Sequence, residues 1–313
     1  MSTQQPDLED PLVTIAIPNY NYAHYLSETI SSVLNQTFKN FELLISDNCS
    51  SDNSIEVIKQ YNDPRIKWWK NETNVGVYPN WDLLYKKAKG KYFKLLQADD
   101  WLHKDFLKET IELLEATNAD VAFAGFGYRG SENKDTLPSA IGLTKTGKVL
   151  NQQDIVNYFD QPLGSFIHPT TSIIRKNLIP EGYGGTNKNF FMDMVFWAKA
   201  ITFGKVVVVD KILSYQRMHT LQDRNTRRDK SISIIEITTA LNILKALPGI
   251  SIKIKRFKYH ASGEAFFQMI LAATRLDKTA IRYFIGLKES RCLLSGMTYS
   301  LLVFINRLRW KNH

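Results

Sequence analysis

Cysteine is nearly absent from this chain of 313 residues: there are two, Cys49 and Cys292. Cysteines so far apart make neither a metal-ligand spacing nor a disulfide framework, which points to a reducing, cytoplasmic compartment. Long apolar runs are also scarce. The stretch Leu293–Ile305 has 13 residues, interrupted by Ser, Thr and Gly, whereas crossing a bilayer takes about 20 apolar residues. The opening MSTQQPDLEDP is polar and acidic, unlike the basic and then apolar regions of a secretory signal. The sequons Asn35-Gln36-Thr37 and Asn71-Glu72-Thr73 are then expected to be chance matches. Two phosphate-binding signatures are missing as well. No GxGxxG follows the first expected strand, which disfavours a dinucleotide oxidoreductase, and no GxxxxGK[ST] occurs, which disfavours a P-loop NTPase.

What is present suits a folded α/β protein. Hydrophobic residues make up 44% and aromatics 12%, enough for a sizeable core and against disorder. The formal charge is +9, and it is unevenly placed. Residues 251–313 hold twelve Lys/Arg against three Asp/Glu, so the remainder of the chain is neutral overall. A basic end of this kind suits an anionic membrane surface, an acidic acceptor or nucleic acid. No nucleic-acid reading motif accompanies it, so nucleic acid is not expected as a partner.

Leu12–Pro18 reads as a buried strand ending at proline, and His24–Gln36 as a helix with Leu26, Ile30, Val33 and Leu34 on one face. Strands are also expected at Phe41–Ser46, Ile66–Trp69, Tyr92–Leu96, Asp120–Phe126, Thr171–Arg175 and Val206–Val209. Helices are expected at Asn53–Gln60 (with Ser51 or Asp52 as cap), Pro79–Ala88, Leu102–Thr117, Asp154–Phe159 and Phe191–Phe203. Residues 128–150 read as a variable excursion or hairpin. This alternation predicts a mostly parallel sheet flanked by helices, whose ligands bind beyond the C-terminal strand ends. The expected division is a catalytic domain over 1–222 and a basic helical region over 223–313. A basic-flanked apolar helix near its end can lie in a membrane interface, giving a peripheral contact; the same pattern also suits a core helix with solvated lysines.

Polar residues gather at the expected strand ends: Asn19-Tyr20-Asn21, Asp47, Asn74 and the pair Asp99-Asp100. Adjacent carboxylates repel each other, and a hard divalent cation bound through carboxylate oxygens relieves that repulsion.

This ordered set resembles an inverting glycosyltransferase of family 2, with the GT-A (Rossmann-like) fold, over roughly residues 12–220. The resemblance rests on Val13–Asn21, Ser32–Thr37, Phe41–Asp47 with Ser51-Asp52, Asn74-Val75-Gly76 and the acid pair. It implies a nucleotide-sugar donor, usually a UDP-sugar, and Mn2+ or Mg2+. By position, Pro18, Asn19 and Tyr20 would border base and ribose, and Asp47 would accept a hydrogen bond from the base. Asn74 and Gly76 would line the ribose and pyrophosphate path. Asp99 would touch ribose or metal, and Asp100 would hold the metal on the diphosphate. Asp193, at a helix start, would be the general base. Tyr215–His219 resembles the family's Tyr-Arg-x-His, making Arg217 a diphosphate clamp and His219 a third metal ligand or phosphate donor. Two departures stand out: Gln97 where the family often has aspartate, and Met192 where it usually has glutamate. The expected acceptor is a glycan, lipid-linked at the inner membrane face. The rival is a non-catalytic nucleotide-sugar-binding or scaffold protein, against which Asp99, Asp100 and Asp193 argue.

Overall fold

The computed structural model describes residues 10–130, 135–139, 146–151, 154, 169–186, 192–218 and 243. The chain divides into two compact units, one of Met1–Leu150, Leu163–Asn187 and Phe203–His219, the other of Asn151–Pro162, Lys188–Thr202 and Thr220–His313.

Nine strands among the described residues form one sheet in the first unit. In chain order they are β1 (Val13–Asn19), β2 (Phe41–Asp47), β3 (Ile66–Lys70), β4 (Tyr92–Leu95), β5 (Trp101–Leu102), β6 (Val121–Gly130), β7 (Asp135–Ser139), β8 (Ser172–Arg175) and β9 (Val206–Met218). Helices α1 (Ala23–Leu34), α2 (Ser54–Lys59), α3 (Val77–Lys87) and α4 (Phe106–Thr117) connect the first strands. The spatial order is β3-β2-β1-β4-β8-β6-β9-β5, with β7 beside β6. β1 pairs in parallel with β2 and β4, β2 with β3, and β6 with β9. β8 lies antiparallel between β4 and β6, so β4 and β6 point the same way. Six strands thus share one direction, and β5, β7 and β8 oppose them. The expected hairpin in 128–150 is the β6–β7 pair.

The core explains the parallel half. β1 and β2 are buried along their whole length, as strands covered on both faces must be. Val13, Ile15 and Ile17 of β1 join Leu26, Ile30 and Val33 of α1 and Phe106, Leu107, Ile111 and Leu114 of α4 in one apolar cluster. Each such side chain contributes about 1.5–3 kcal/mol by leaving water. Gly90 sits where β4 begins, and its amide donates to the Thr14 hydroxyl at 2.8 Å. A Cβ there would lie 2.4 Å from the Thr14 nitrogen and 2.6 Å from the Val13 carbonyl carbon, so only glycine lets the strands approach.

Three boundaries differ from expectation. The helix expected from Leu102 begins at Phe106, because Trp101–Leu102 instead pairs with Tyr215 and Ser214 of β9. The strand expected over Val206–Val209 continues to Met218, since β6 and β5 supply partners on both sides. Helix α3 starts at Val77 rather than Pro79, which puts proline in the first turn, where its missing N–H costs no helical bond. The expected cap Asp52 does bind the first turn of α2, accepting from the Ser54 amide at 3.1 Å and hydroxyl at 2.5 Å.

In the second unit, α5 is Met192–Phe203, apart from its last residue. Its Val195, Phe196, Trp197, Ala198, Ala200 and Ile201 are buried. The helix expected at Asp154–Phe159 lies outside the described residues except for Asp154, as do all of 223–313 except Ile243. Among the described residues, no helix is long and apolar enough to cross a membrane.

Candidate active site

The shared strand direction delivers the ends of β1, β2 and β4 to one sheet edge. Asn19 and Asp47 are register partners, and both are buried. The Asn19 amide Nδ2 donates to Asp47 Oδ1 at 2.8 Å, and the Ser50 amide donates to Asp47 Oδ2 at 3.0 Å. Turns at Asn21 and Cys49, with φ of 58° and 65°, bring the loops after β1 and β2 together. The Asn21 carbonyl Oδ1 accepts from the Ser51 amide at 2.8 Å, tying the two loops together; asparagine adopts such left-handed backbone more readily than most residues. Tyr20 is 45% exposed at this edge, an aromatic face left in water. Pro18 precedes Asn19 inside β1.

Beside Asp47 an asparagine network holds the loop before α3. Asn48 donates to Asn74 Oδ1 at 2.9 Å and to the Gly76 carbonyl at 3.2 Å. Its own Oδ1 accepts from Asn71 Nδ2 and from the Val75 amide, both at 3.0 Å. Asn74 Oδ1 also accepts the Gly76 amide at 2.9 Å. Gly76 has φ of 94°, a backbone that favours glycine. Asn80, buried on α3, accepts from the Ser46 hydroxyl at 2.6 Å and ties this network to β2.

Beyond β4, Asp99 and Asp100 are 8% and 3% exposed. Asp100 is held from three elements. Its Oδ1 accepts the Arg217 amide of β9 at 3.0 Å, its Oδ2 accepts the Thr170 hydroxyl, and its backbone carbonyl accepts the Thr29 hydroxyl of α1 at 2.8 Å. Burial pushes the Asp100 carboxyl well above the usual range, and the Asp99 charge adds to this. The Thr170 and Arg217 bonds and the Lys94 charge oppose it. Arg217 extends along the same loop. Its Nε donates to the Asp99 carbonyl at 3.2 Å, its guanidinium binds Glu28, and it packs 4.6 and 5.0 Å from the ring centroids of Tyr25 and Trp101. Trp101 in turn stacks on Tyr215, centroids 5.2 Å apart.

The structure therefore brings Pro18, Asn19, Tyr20, Asp47, Asn74, Gly76, Asp99, Asp100 and Arg217 to one edge. Arg217, expected as a clamp on diphosphate, has its guanidinium engaged by Glu28 and the Asp99 carbonyl. Asp193 lies half-buried in the first turn of α5, in the second unit. His219 lies outside the described residues. Among the described residues no three His, Cys, Asp or Glu side chains form a metal-binding group. Asp99 and Asp100 are adjacent buried carboxyls, and burial with the neighbouring Asp99 charge makes ionised Asp100 costly, a cost that a bound hard dication would relieve. Reading the sequence missed Thr29, Asn48, Asn80, Lys94 and Thr170. Lys94 carried a signal, as a charge inside an apolar strand; the others look like ordinary polar residues.

Comparison with known proteins fits this edge. The Glycosyl transferase family 2 model matches residues 14–182, more than half of the chain. The chain belongs to Glycosyl transferase family 2. The matched span of this glycosyltransferase runs from β1 through β8 and contains Pro18, Asn19, Tyr20, Asp47, Asn74, Gly76, Asp99 and Asp100, but neither Asp193 nor Arg217. An uncharacterised glycosyltransferase of Rickettsia typhi is 28% identical over 218 residues, 69% of this chain and 67% of that one. A UDP-Glc:alpha-D-GlcNAc-diphosphoundecaprenol beta-1,3-glucosyltransferase of Escherichia coli is 34% identical over 119 residues. That match covers 38% of this glycosyltransferase and 47% of the relative, just under half its length. The crystal structure of S. aureus TarS residues 1–349 with UDP-GlcNAc shares the fold at a TM-score of 0.62 and 18% identity, covering 92% of this chain and 90% of that one.

Proposed function

We propose that this glycosyltransferase moves one sugar, with inversion, from a UDP-sugar to a hydroxyl of a lipid-linked glycan during assembly of a surface polysaccharide. One observation carries the reading: Asp47, Asp99 and Asp100 lie buried along one sheet edge, with the exposed ring of Tyr20 beside them. Support for the donor and acceptor classes comes from the names of the E. coli glucosyltransferase and the TarS complex.

In this reading Tyr20 lies flat against the base and Asp47 accepts its N–H, while Pro18 and Asn19 border base and ribose. Asn74 and Gly76 line the ribose and pyrophosphate path, where glycine lets backbone come close to phosphate. Asp99 and Asp100 hold Mn2+ or Mg2+, with His219 as a third ligand. The cation supplies Lewis-acid stabilisation of the charge on the departing diphosphate. Arg217, bonded to Glu28, steadies the Asp99–Asp100 loop beside that diphosphate. Asp193 takes the proton from the acceptor hydroxyl as it attacks. The basic C-terminal region touches the inner membrane face peripherally, and deletion of 288–313 should then reduce co-sedimentation with anionic vesicles.

A panel of nucleotide sugars offered with Mn2+ and a polyprenyl-diphosphate-linked sugar tests the reaction. The expected result is UDP release and a lengthened acceptor, both lost in EDTA. Nucleotide release that ignores Mn2+ and acceptor alike would overturn the assignment.

A further inference from the structure

Lys94 does not suit its position by size or charge. It stands in β4 opposite Ile15 of β1, and alternation puts it on the same face as Tyr92 and Leu96, both members of the apolar core. It is fully buried. Burial pushes its ammonium well below the usual lysine range, while the Asp100 charge pulls it back. Desolvating such a group costs several kcal/mol, and a leucine or methionine would fill the space without that cost. What lysine alone adds is its donors. Nζ donates to the carbonyls of Pro169 and Thr170 at 2.9 and 2.5 Å, and it sits 4.6 Å from the Phe106 ring centroid. Both carbonyls belong to the 3-10 turn Pro169–Thr171, whose Thr170 hydroxyl donates to Asp100 Oδ2.

We propose that Lys94 and Thr170 form a positioning relay for Asp100: Lys94 fixes the turn, and the Thr170 hydroxyl fixes the rotamer of the Asp100 carboxylate before any ligand arrives. The proposal rests on the reading of Asp100 as a metal-holding residue and explains what keeps it oriented. Partners in the shell behind a metal ligand fix its orientation and commonly change metal affinity about 10- to 100-fold when removed. Lys94 and Gln97 lie on the same short stretch, and the contacts from Lys94 reach Asp100 only through the 169–171 turn.

The test titrates Mn2+ into the full-length protein with and without UDP, reading free Mn2+ by electron paramagnetic resonance. Unfolding temperatures are measured in EDTA alongside. Thr170→Val is expected to weaken UDP-dependent Mn2+ binding about 10-fold, and Thr170→Ser, which keeps the hydroxyl, to retain it. Lys94→Met is expected to weaken it by a similar factor while the unfolding temperature in EDTA stays level or rises. In the double variant, Lys94→Met adds no further loss, because it acts through Thr170. The relay is overturned if both single variants bind Mn2+ within twofold of wild type while Asp100→Asn does not bind, or if the two losses multiply. Should Lys94→Met fail to fold, the Thr170→Val and Thr170→Ser pair decides alone. Failure of wild-type protein to bind Mn2+ with UDP would instead strike the metal reading itself, and the relay with it.

Discussion

Asp47 and Asp100 lie on either side of β1, and they are secured in opposite ways. Asp47 takes its hydrogen bonds from Ser50, three residues on, and from Asn19 on the neighbouring strand. Its carboxylate bonds come from β1 and the turn after β2, and its backbone carbonyl accepts the Asn71 amide beyond β3 at 2.8 Å. Asp100 takes its side-chain bonds from Thr170 and Arg217, 70 and 117 residues later. The later half of the sheet, where antiparallel β8 and the long β9 enter, exists in part to reach it. The Asp47 carboxylate is thus held mainly from nearby in sequence, and the Asp100 carboxylate from far along the chain.

The comparison predicts separable failures, the largest first. Asp100→Asn is expected to lower kcat/KM by several kcal/mol of lost leaving-group stabilisation, on the order of 10^3-fold, while UDP binding without metal persists. Equal losses of metal-free UDP binding would merge the two sides. The same variant carries a pH signature. Burial and Asp99 keep the proton on Asp100 above the usual carboxylate range, so the protonated form is favoured in the folded chain. The Asp100 contribution to stability in EDTA should then be fully present below about pH 4 and be lost as pH rises through the raised value. In Asp100→Asn that loss should be smaller, as pH-dependent unfolding would reveal.

Asp193→Asn belongs to neither side. It is expected to fold and bind UDP yet lose at least about 10^2-fold in turnover; a stopped-time transfer assay with near-normal rate would remove Asp193 as the base. Asp47→Ala is expected to weaken UDP binding about 10- to 100-fold, the range of a hydrogen bond to a charged group, with the Mn2+ requirement unchanged. Calorimetric titration separates that from an effect on metal. The smallest change is expected from Glu28→Gln. The Glu28 side chain is 44% exposed, though that of Arg217 is only 9% exposed, and pairs with a water-exposed partner contribute less than about 1 kcal/mol. A drop of more than several degrees in unfolding temperature would mean the Glu28–Arg217 contact matters far more than its exposure implies.

The same contrast explains what could be read in advance. β1 and β2 announce themselves as mainly apolar runs, and their polar ends follow directly, so Asn19, Tyr20 and Asp47 were legible. Asp99 and Asp100 were legible as a pair at a strand end. The groups that hold them were not. Thr170 and Thr29 are ordinary threonines until the sheet order brings them to Asp100, and no local pattern encodes a contact across 70 residues. Leu102 looked like the start of a helix, and only pairing with β9 makes it, with Trp101, a strand. Met218 ends a strand more than three times as long as its apolar core suggested, because polar Ser214 and Gln216 are buried between partners rather than left in water. Asn48 was passed over because a residue beside a strong candidate draws no notice, though it makes four bonds to the loop before α3.

Gly90 gives the comparison a mechanical side. It touches neither nucleotide nor acid pair, yet its missing side chain sets how closely β4 lies against β1 at the end of the strands away from the chemistry. A single methyl at 90 would act as a wedge. It would splay the two strands at their base and swing their far ends, carrying Asn19 and the Asp99–Asp100 loop out of alignment together. The separation between the two half-sites is gauged by a hydrogen atom a strand's length away, at a position that a survey of ligand-contacting residues would pass over.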